Sequence, residues 1–328
     1  MQITGEGRRV ERKEQEKMPE VMFYFSSHVS ASDFEGMRNA FEEADVYFSE
    51  AHGWKQEDAE YLNAISEGTK TPPHMQEGRV AKTALELEEE LLFCSHKPVY
   101  FVDIPSGHEL EDADDGMETL KRAAEEFVYR TFELAEQQTL SAAKKTALFL
   151  NRKDKYIADK IREDLPKIIR ENPTLKEKNK VTALVQMGAS HSPIRHHAPR
   201  EFVASSAEKS TLVFGFEDEL IRRYRFEKEI QPDLPAKAVF EHLLREEFAD
   251  EIERAPDQLF VLGLRDLLKS ISREQLQQVS FWVVYRMTSR DDADEKDVIK
   301  EVVKRLLQID LGDFFEGINS GSENKRTE

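Results

Sequence analysis

The chain has 328 residues, of which 39% are hydrophobic and 34% charged, and its formal net charge is −18. This excess of negative charge argues against nonspecific binding to nucleic acids or anionic membranes, because both need clustered cations. No apolar run approaches the roughly 20 residues that cross a bilayer, and the polar start of the chain contains no signal-peptide core. A single cysteine, Cys94, excludes an intrachain disulfide, so we expect a soluble, cytoplasmic protein.

The first third of the chain alternates between predicted strands and helices. Residues 1–19 are highly charged and predict a flexible arm. Short runs rich in β-branched and aromatic residues predict strands at 21–26, 45–50 and 97–103. Apolar residues at helical spacing predict helices between these strands, one ending near residue 43 and others over 56–67 and 77–93.

The remainder of the chain is predicted to be mostly helical. The apolar pattern predicts helices over 117–150 and 151–170, strands at 181–187 and 210–216, and helices from 217 to about 315. Strands alternating with helices favour an α/β fold, with a mostly parallel or mixed central sheet covered by helices and a helical C-terminal addition. We therefore expect an arm at 1–19, an α/β domain at 20–216, a helical region at 217–316 and a disordered tail at 317–328.

Polar residues lie at or just past the carboxyl ends of four of the predicted strands. They are His28, Glu50, Asp103 and His191. Because the carboxyl ends of parallel strands lie at one edge of a sheet, we expect these side chains to face a common crevice. Imidazoles and a carboxylate are the ligand set of a catalytic divalent metal ion, and a further carboxylate can act as general base.

Each of these residues also fits a structural interpretation. A single histidine after a strand is commonly a hydrogen-bonded turn residue, and Asp103 before Ile104-Pro105 also fits a turn or cap. The chain contains no P-loop, no GxGxxG and no GxSxG motif, which argues against common nucleotide-binding enzymes and against α/β-hydrolases.

Five segments between about residues 20 and 200 together resemble the TraB/Tiki/erythromycin-esterase/ChaN superfamily, whose members carry two GxxH motifs. Gly188-Ala-Ser-His191 matches the second motif, whereas the first reads Phe25-Ser-Ser-His28 and lacks the glycine. The segment ending in Glu50 is similar to the family's aDvvvxE segment, and 97–103 resembles its middle strand. Residues 151–161 resemble its RDxxMAxxI helix, with Asp154 at the acidic position and Lys153 where an arginine is expected.

The resemblance implies several activities, because the superfamily includes metal-dependent proteases, esterases acting on a macrolide lactone and haem-associated proteins. We expect a metal-dependent hydrolase of a peptide or a small-molecule ester. His28, Glu50 and His191 would bind the metal, either Mn, Co or Zn. Glu50 would act either as a metal ligand or as the general base. Asp154, with Arg152 or Lys153, would orient the ligands or stabilise an oxyanion.

Two other functions stay open at this point. A non-catalytic protein could hold haem or a small ligand in the same crevice, with His196 and His197 nearby. A regulatory protein could bind a partner through its helical C-terminal region. The sequence leaves the oligomeric state, including a homo-oligomer, undecided.

Overall fold

The computed structural model describes residues 19–26, 31–81, 83–111, 113, 116–197, 203–208, 214–249, 257–289 and 294–324. Five strands form a single sheet in the order β3-β2-β4-β1-β5, and every neighbouring pair is parallel. The strands are β1 (Glu20–Ser26), β2 (Val46–Ser49), β3 (Val99–Phe101), β4 (Thr182–Gly188) and β5 (Val203–Glu208). With helices on both faces, this confirms the predicted α/β fold with helical additions.

The sheet is central because its inner strands are apolar on both faces. In β1, Phe23 and Phe25 point to one face, where they pack with a long helix described below. Met22 and Tyr24 point to the opposite face and pack against the first helices of the chain. This alternation follows from the two-residue repeat of a strand. Burying each large side chain contributes roughly 1.5–3 kcal/mol to stability.

Thirteen α-helices and one 3-10 helix are present among the described residues. The N-terminal half contains α1 (Ala31–Glu43), α2 (Gln56–Ser66), α3 (Pro73–Gln76), α4 (Ala84–Leu92), α5 (Met117–Tyr129), α6 (Phe132–Glu171) and α7 (Pro173–Glu177). The C-terminal half contains the 3-10 helix (Ala189–His196), α8 (Phe216–Arg225), α9 (Leu234–Glu247), α10 (Asp257–Lys269), α11 (Arg273–Ser289), α12 (Glu295–Leu307) and α13 (Leu311–Asn324). No described helix is long and apolar enough to span a membrane.

Helix α6 has 40 residues and belongs to two hydrophobic cores. Its second half, including Ile157 and Ile161, packs beneath the sheet. Its first half, including Ala135 and Ala143, joins α5 and helices α8 to α13 in a separate helical core. That core therefore contains residues on both sides of position 216.

The predicted helix boundary at residue 150 is wrong, because α6 runs through it without a break. The chain breaks earlier, at Arg130, whose φ of −138° and ψ of −100° leave the helical region. Thr131 then caps α6 by accepting a hydrogen bond from the main-chain nitrogen of Leu134 at 3.3 Å. A similar cap shortens the predicted helix 77–93, since the Thr83 side chain accepts a hydrogen bond from Glu86 and α4 begins at residue 84.

Two further differences concern the C-terminal half. Of the strand predicted at 210–216, the part 210–213 lies outside the described residues, and residue 216 begins α8. The fifth strand lies at 203–208, where none was predicted. Its sequence, VASSAE, is that of an edge strand and lacks a continuous apolar run. At the end of the chain, α13 continues to residue 324 because Phe315 and Ile318 pack on the helical core. Of the predicted N-terminal arm, 1–18 lie outside the described residues.

Candidate functional site

Glu50 and His191 meet at the carboxyl edge of the sheet. Glu50 follows β2 directly, and His191 lies in the 3-10 helix that follows β4, the neighbour of β2. His191 Nε2 lies 3.0 Å from Glu50 Oε1. The other oxygen of Glu50 accepts a hydrogen bond from the main-chain nitrogen of Gly188. The parallel order of the strands thus brings together two residues that are far apart in the chain.

Helix α6 supplies two buried charges beside this pair. Asp154 is fully buried and its Oδ1 contacts His191 Nδ1, so that the imidazole lies between two carboxylates. Lys153 is also buried, and its Nζ lies 3.2 Å from Glu50 Oε1 and 2.8 Å from Asp103 Oδ2. Consecutive helix residues point about 100° apart. The same helix can therefore place Lys153 beside the carboxylate of Glu50 and Asp154 beside the imidazole of His191.

Asp103 follows β3 and is held by the chain around it. Its Oδ1 accepts a hydrogen bond from the main-chain nitrogen of Ile104 at 2.7 Å. Trp54 Nε1 donates a hydrogen bond to the Asp103 carbonyl at 2.8 Å. Asp103 therefore lies just past a strand, as predicted, in a turn that these hydrogen bonds fix. Lys153 contacts both Asp103 and Glu50 and so links the two carboxylates.

Arg225, at the end of α8, completes the site from the C-terminal half of the chain. Its guanidinium group contacts Asp154 Oδ2 and the carbonyl oxygen of Ser190, and its Nε donates to Asn151 Oδ1 at 3.0 Å. The Arg225 side chain is fully buried. Nothing in the local sequence predicts this role, because α8 has three arginines and only the tertiary fold selects one of them.

These contacts link six buried or nearly buried groups of alternating charge, which we call the charge chain. In spatial order it consists of Asp103, Lys153, Glu50, His191, Asp154 and Arg225. With His191 protonated, the positive and negative charges balance. Buried charges are tolerated when they are paired in this way.

The two carboxylates that flank His191 decide its protonation. Burial by itself would lower the pKa of the imidazole, but Glu50 and Asp154 together raise it to about 9. His191 is therefore a cation at neutral pH. Burial likewise opposes the charge of Lys153, and Glu50 and Asp103 overcome it, so that the pKa of Lys153 is raised. For Arg225, burial outweighs the attraction of Asp154 and lowers the pKa.

The structure brings five of the predicted site residues together, namely Asp103, Lys153, Glu50, His191 and Asp154. Arg152 is exposed on α6, and the neighbouring Lys153 occupies the site instead. His28 lies outside the described residues.

Glu50 and His191 would supply two of the three expected metal donors. Asp154 at Nδ1 orients the imidazole as a carboxylate commonly does for a metal-bound histidine. Glu50 and Nε2 face each other across 3.0 Å, the distance of a hydrogen bond. Among the described residues, no three His, Cys, Asp or Glu side chains form a group that could hold a metal ion. Glu50 and His191 therefore fit two of the three donor positions of such a site.

Comparison of the chain with family models, with curated proteins and with solved structures finds no match.

Proposed function

We propose that this protein is a hydrolase of peptide or ester bonds, with Glu50 and His191 as its reacting groups. The observation that carries the proposal is the position of His191, buried between Glu50 and Asp154 at the carboxyl edge of a parallel sheet. Ligand crevices of open α/β sheets lie at this edge. Imidazole held by one carboxylate and facing another is an arrangement suited to moving protons during hydrolysis. The resemblance to the TraB/ChaN superfamily supports the same reaction class.

Each member of the charge chain has a role in this proposal. Asp154 holds the ring of His191 through Nδ1, and Arg225 fixes Asp154. Glu50 is the general base that accepts a proton from the attacking water or, alternatively, a ligand of a metal ion. The ammonium group of Lys153, rather than the exposed Arg152, supplies positive charge where negative charge develops on the substrate.

We also propose that Glu50 and His191, with His28 as third donor, are the residues that would hold a divalent ion. When bound, such an ion polarises the scissile carbonyl and lowers the pKa of a water molecule. To serve as a donor, His191 must release the proton from Nε2, because a metal-bound imidazole is neutral. Metal and proton therefore compete at this atom, and metal affinity is expected to rise with pH.

The first experiment screens hydrolysis of a fluorogenic peptide library and of short-chain aryl esters, with and without Mn, Co or Zn. Wild type is compared with Glu50→Gln and with the control Glu43→Gln, which changes an exposed glutamate at the end of α1. We expect turnover by wild type and by the control, and a loss of at least about 100-fold in Glu50→Gln. Equal activity in all three proteins, or turnover of neither substrate class, would refute the proposal.

Metal content tests the second part separately. Wild type, the double variant His28→Ala/His191→Ala and the exposed-histidine control His52→Ala are loaded and measured by mass spectrometry. About one metal per chain is expected in wild type and in the control, and none in the folded double variant. Hydrolysis by protein that contains no bound metal would support the proposed reaction class and refute the proposed metal site.

A further inference from the structure

A second charged region lies in the helical core, between α5, α9 and α12. A pocket of about 520 Å³ opens there, within the range of roughly 300–1,000 Å³ that small-molecule sites occupy. Its carboxylates are Glu125, Glu126, Glu246, Glu247 and Glu295. Against these five glutamates the lining carries two basic residues, Lys121 and Arg130. We call this region the acidic pocket.

Two polar atoms of the acidic pocket are buried without a hydrogen-bond partner. The His242 side chain is only 6% exposed, and its Nε2 has no partner. The Glu126 side chain is 10% exposed, and its Oε2 also lacks a partner while Oε1 pairs with Arg130 at 3.2 Å. Leaving such atoms unpaired costs free energy, and an unpaired buried group in a pocket calls for a ligand.

The unpaired oxygen of Glu126 is a hydrogen-bond acceptor. Glu217 Oε2 lies 3.7 Å from His242 Nδ1, which is beyond hydrogen-bond distance. A group that completes Glu126 must therefore be a donor, and the surplus of glutamates favours a positively charged one.

The surrounding carboxylates repel one another in the absence of such a ligand. Burial, together with Glu295 and Asp294, raises the pKa of Glu247. Tyr129 donates a hydrogen bond to Glu295 Oε2 at 2.6 Å, and this bond raises the pKa of the phenol to about 12. One hydroxyl thus satisfies only one carboxylate of the pocket.

We propose that the acidic pocket binds an organic polycation, namely an aliphatic polyamine with two or three ammonium groups. Ammonium groups donate to the carboxylates of Glu126 and Glu247, while the alkyl chain lies against Ala124 and Leu243. The ring of Tyr129 offers a cation–π contact at the rim. A bare metal ion fits less well, because no three ligating side chains among the described residues converge on one point.

Calorimetric titration of the full chain with spermidine tests this site, at about 0.15 M salt to suppress long-range attraction. The test variant is Glu246→Gln/Glu247→Gln. The control is Glu57→Gln/Glu60→Gln on α2, which removes the same two charges from an exposed surface. We expect saturable binding by wild type, weakened at least about tenfold in the test variant and less than about twofold in the control. Absence of binding, or equal weakening in both variants, overturns the proposal.

The imidazole of His242 gives an independent readout. Its Cε1–H resonance, assigned with the His242→Gln variant, is expected to move on addition of spermidine while that of the exposed His52 stays in place. A parallel titration with Mg²⁺ alone separates the two kinds of cation. Displacement of spermidine by micromolar Mg²⁺ would identify a metal site and refute the polyamine.

Discussion

The charge chain and the acidic pocket are both rich in ionisable groups, but they differ in how far their buried charges are paired with opposite charges. In the charge chain each carboxylate lies between cations or main-chain donors, and the whole set is neutral with His191 protonated. In the acidic pocket five glutamates share Lys121 and Arg130, and two buried polar atoms have no hydrogen-bond partner. A balanced set fixes its own geometry, whereas an unbalanced set is completed by something that binds. Neutralising a carboxylate should therefore have opposite effects in the two regions.

The largest effect is expected from Asp154→Asn, which removes the anion between His191 and Arg225. The two cations would remain buried without their shared partner, a loss that costs about 3–5 kcal/mol of unfolding free energy. Urea unfolding at pH 7 measures it. The control Asp159→Asn, on the same helix but 41% exposed, should stay within about 0.5 kcal/mol of wild type. Similar losses in both variants would show that the position of Asp154 in the charge chain adds nothing to the effect of removing a negative charge from α6.

A second effect follows from the raised pKa of His191, about 9 in the folded state against an ordinary 6.5. Because the folded pKa is the higher one, the stabilisation is complete below about pH 6.5 and disappears as the pH rises through about 9. Between these limits the free energy of unfolding should fall by roughly 3 kcal/mol. The variant His191→Gln should lose most of this pH dependence. Unchanged dependence in that variant would assign the titration to another group.

A smaller loss is expected from Lys153→Met, which leaves Glu50 and Asp103 without their common cation. Glu50 keeps His191 and Asp103 keeps its main-chain donor, so we expect about 2 kcal/mol at pH 7. The loss should shrink toward pH 5, because a carboxyl group can then take up a proton. Equilibrium unfolding at both pH values measures the change, with the exposed Lys155→Met as control. A loss independent of pH would indicate that packing, not charge, is responsible.

The smallest effect is also the one of opposite sign. Glu247→Gln in the acidic pocket should stabilise the ligand-free protein by a few tenths of a kcal/mol, since it relieves repulsion from Glu295 and Asp294. Added salt should stabilise wild type more than the variant, because in wild type it also screens this repulsion. Thermal unfolding is precise enough to detect this shift. Destabilisation by Glu247→Gln would contradict the contrast between the two regions.

Much of the sheet was accessible to sequence reasoning because its inner strands are short, apolar and followed by polar residues. The predictions for β1, β2, β3 and β4 are confirmed, and their parallel order places Glu50 beside His191. The edge strand β5 was not predicted, since its sequence of mostly small residues carries no clear apolar pattern. The helix boundary predicted at 150 is wrong although asparagine is a common capping residue, because Asn151 lies inside α6 and its side chain accepts a hydrogen bond from Arg225 instead.

The remaining parts of the site depend on tertiary structure. Lys153 and Asp154 were predicted only from the family resemblance, because charged residues occur along most of their helix and do not single them out. Arg225 was not predicted at all, because its partner lies 71 positions earlier in the chain. The acidic pocket likewise arises only when three helices from distant segments come together. No local pattern marks which of the chain's many glutamates converge there.

The long helix α6 has a consequence for how the protein opens. At 1.5 Å per residue it extends about 60 Å and is embedded in both hydrophobic cores. Neither core can lose this helix without exposing apolar surface in the other. Amide hydrogen exchange should therefore show similar protection in the two halves of α6, with both released in one cooperative event. Cleavage of the chain near residue 216 would not yield two independently stable pieces, because the element they share lies wholly on one side of the cut.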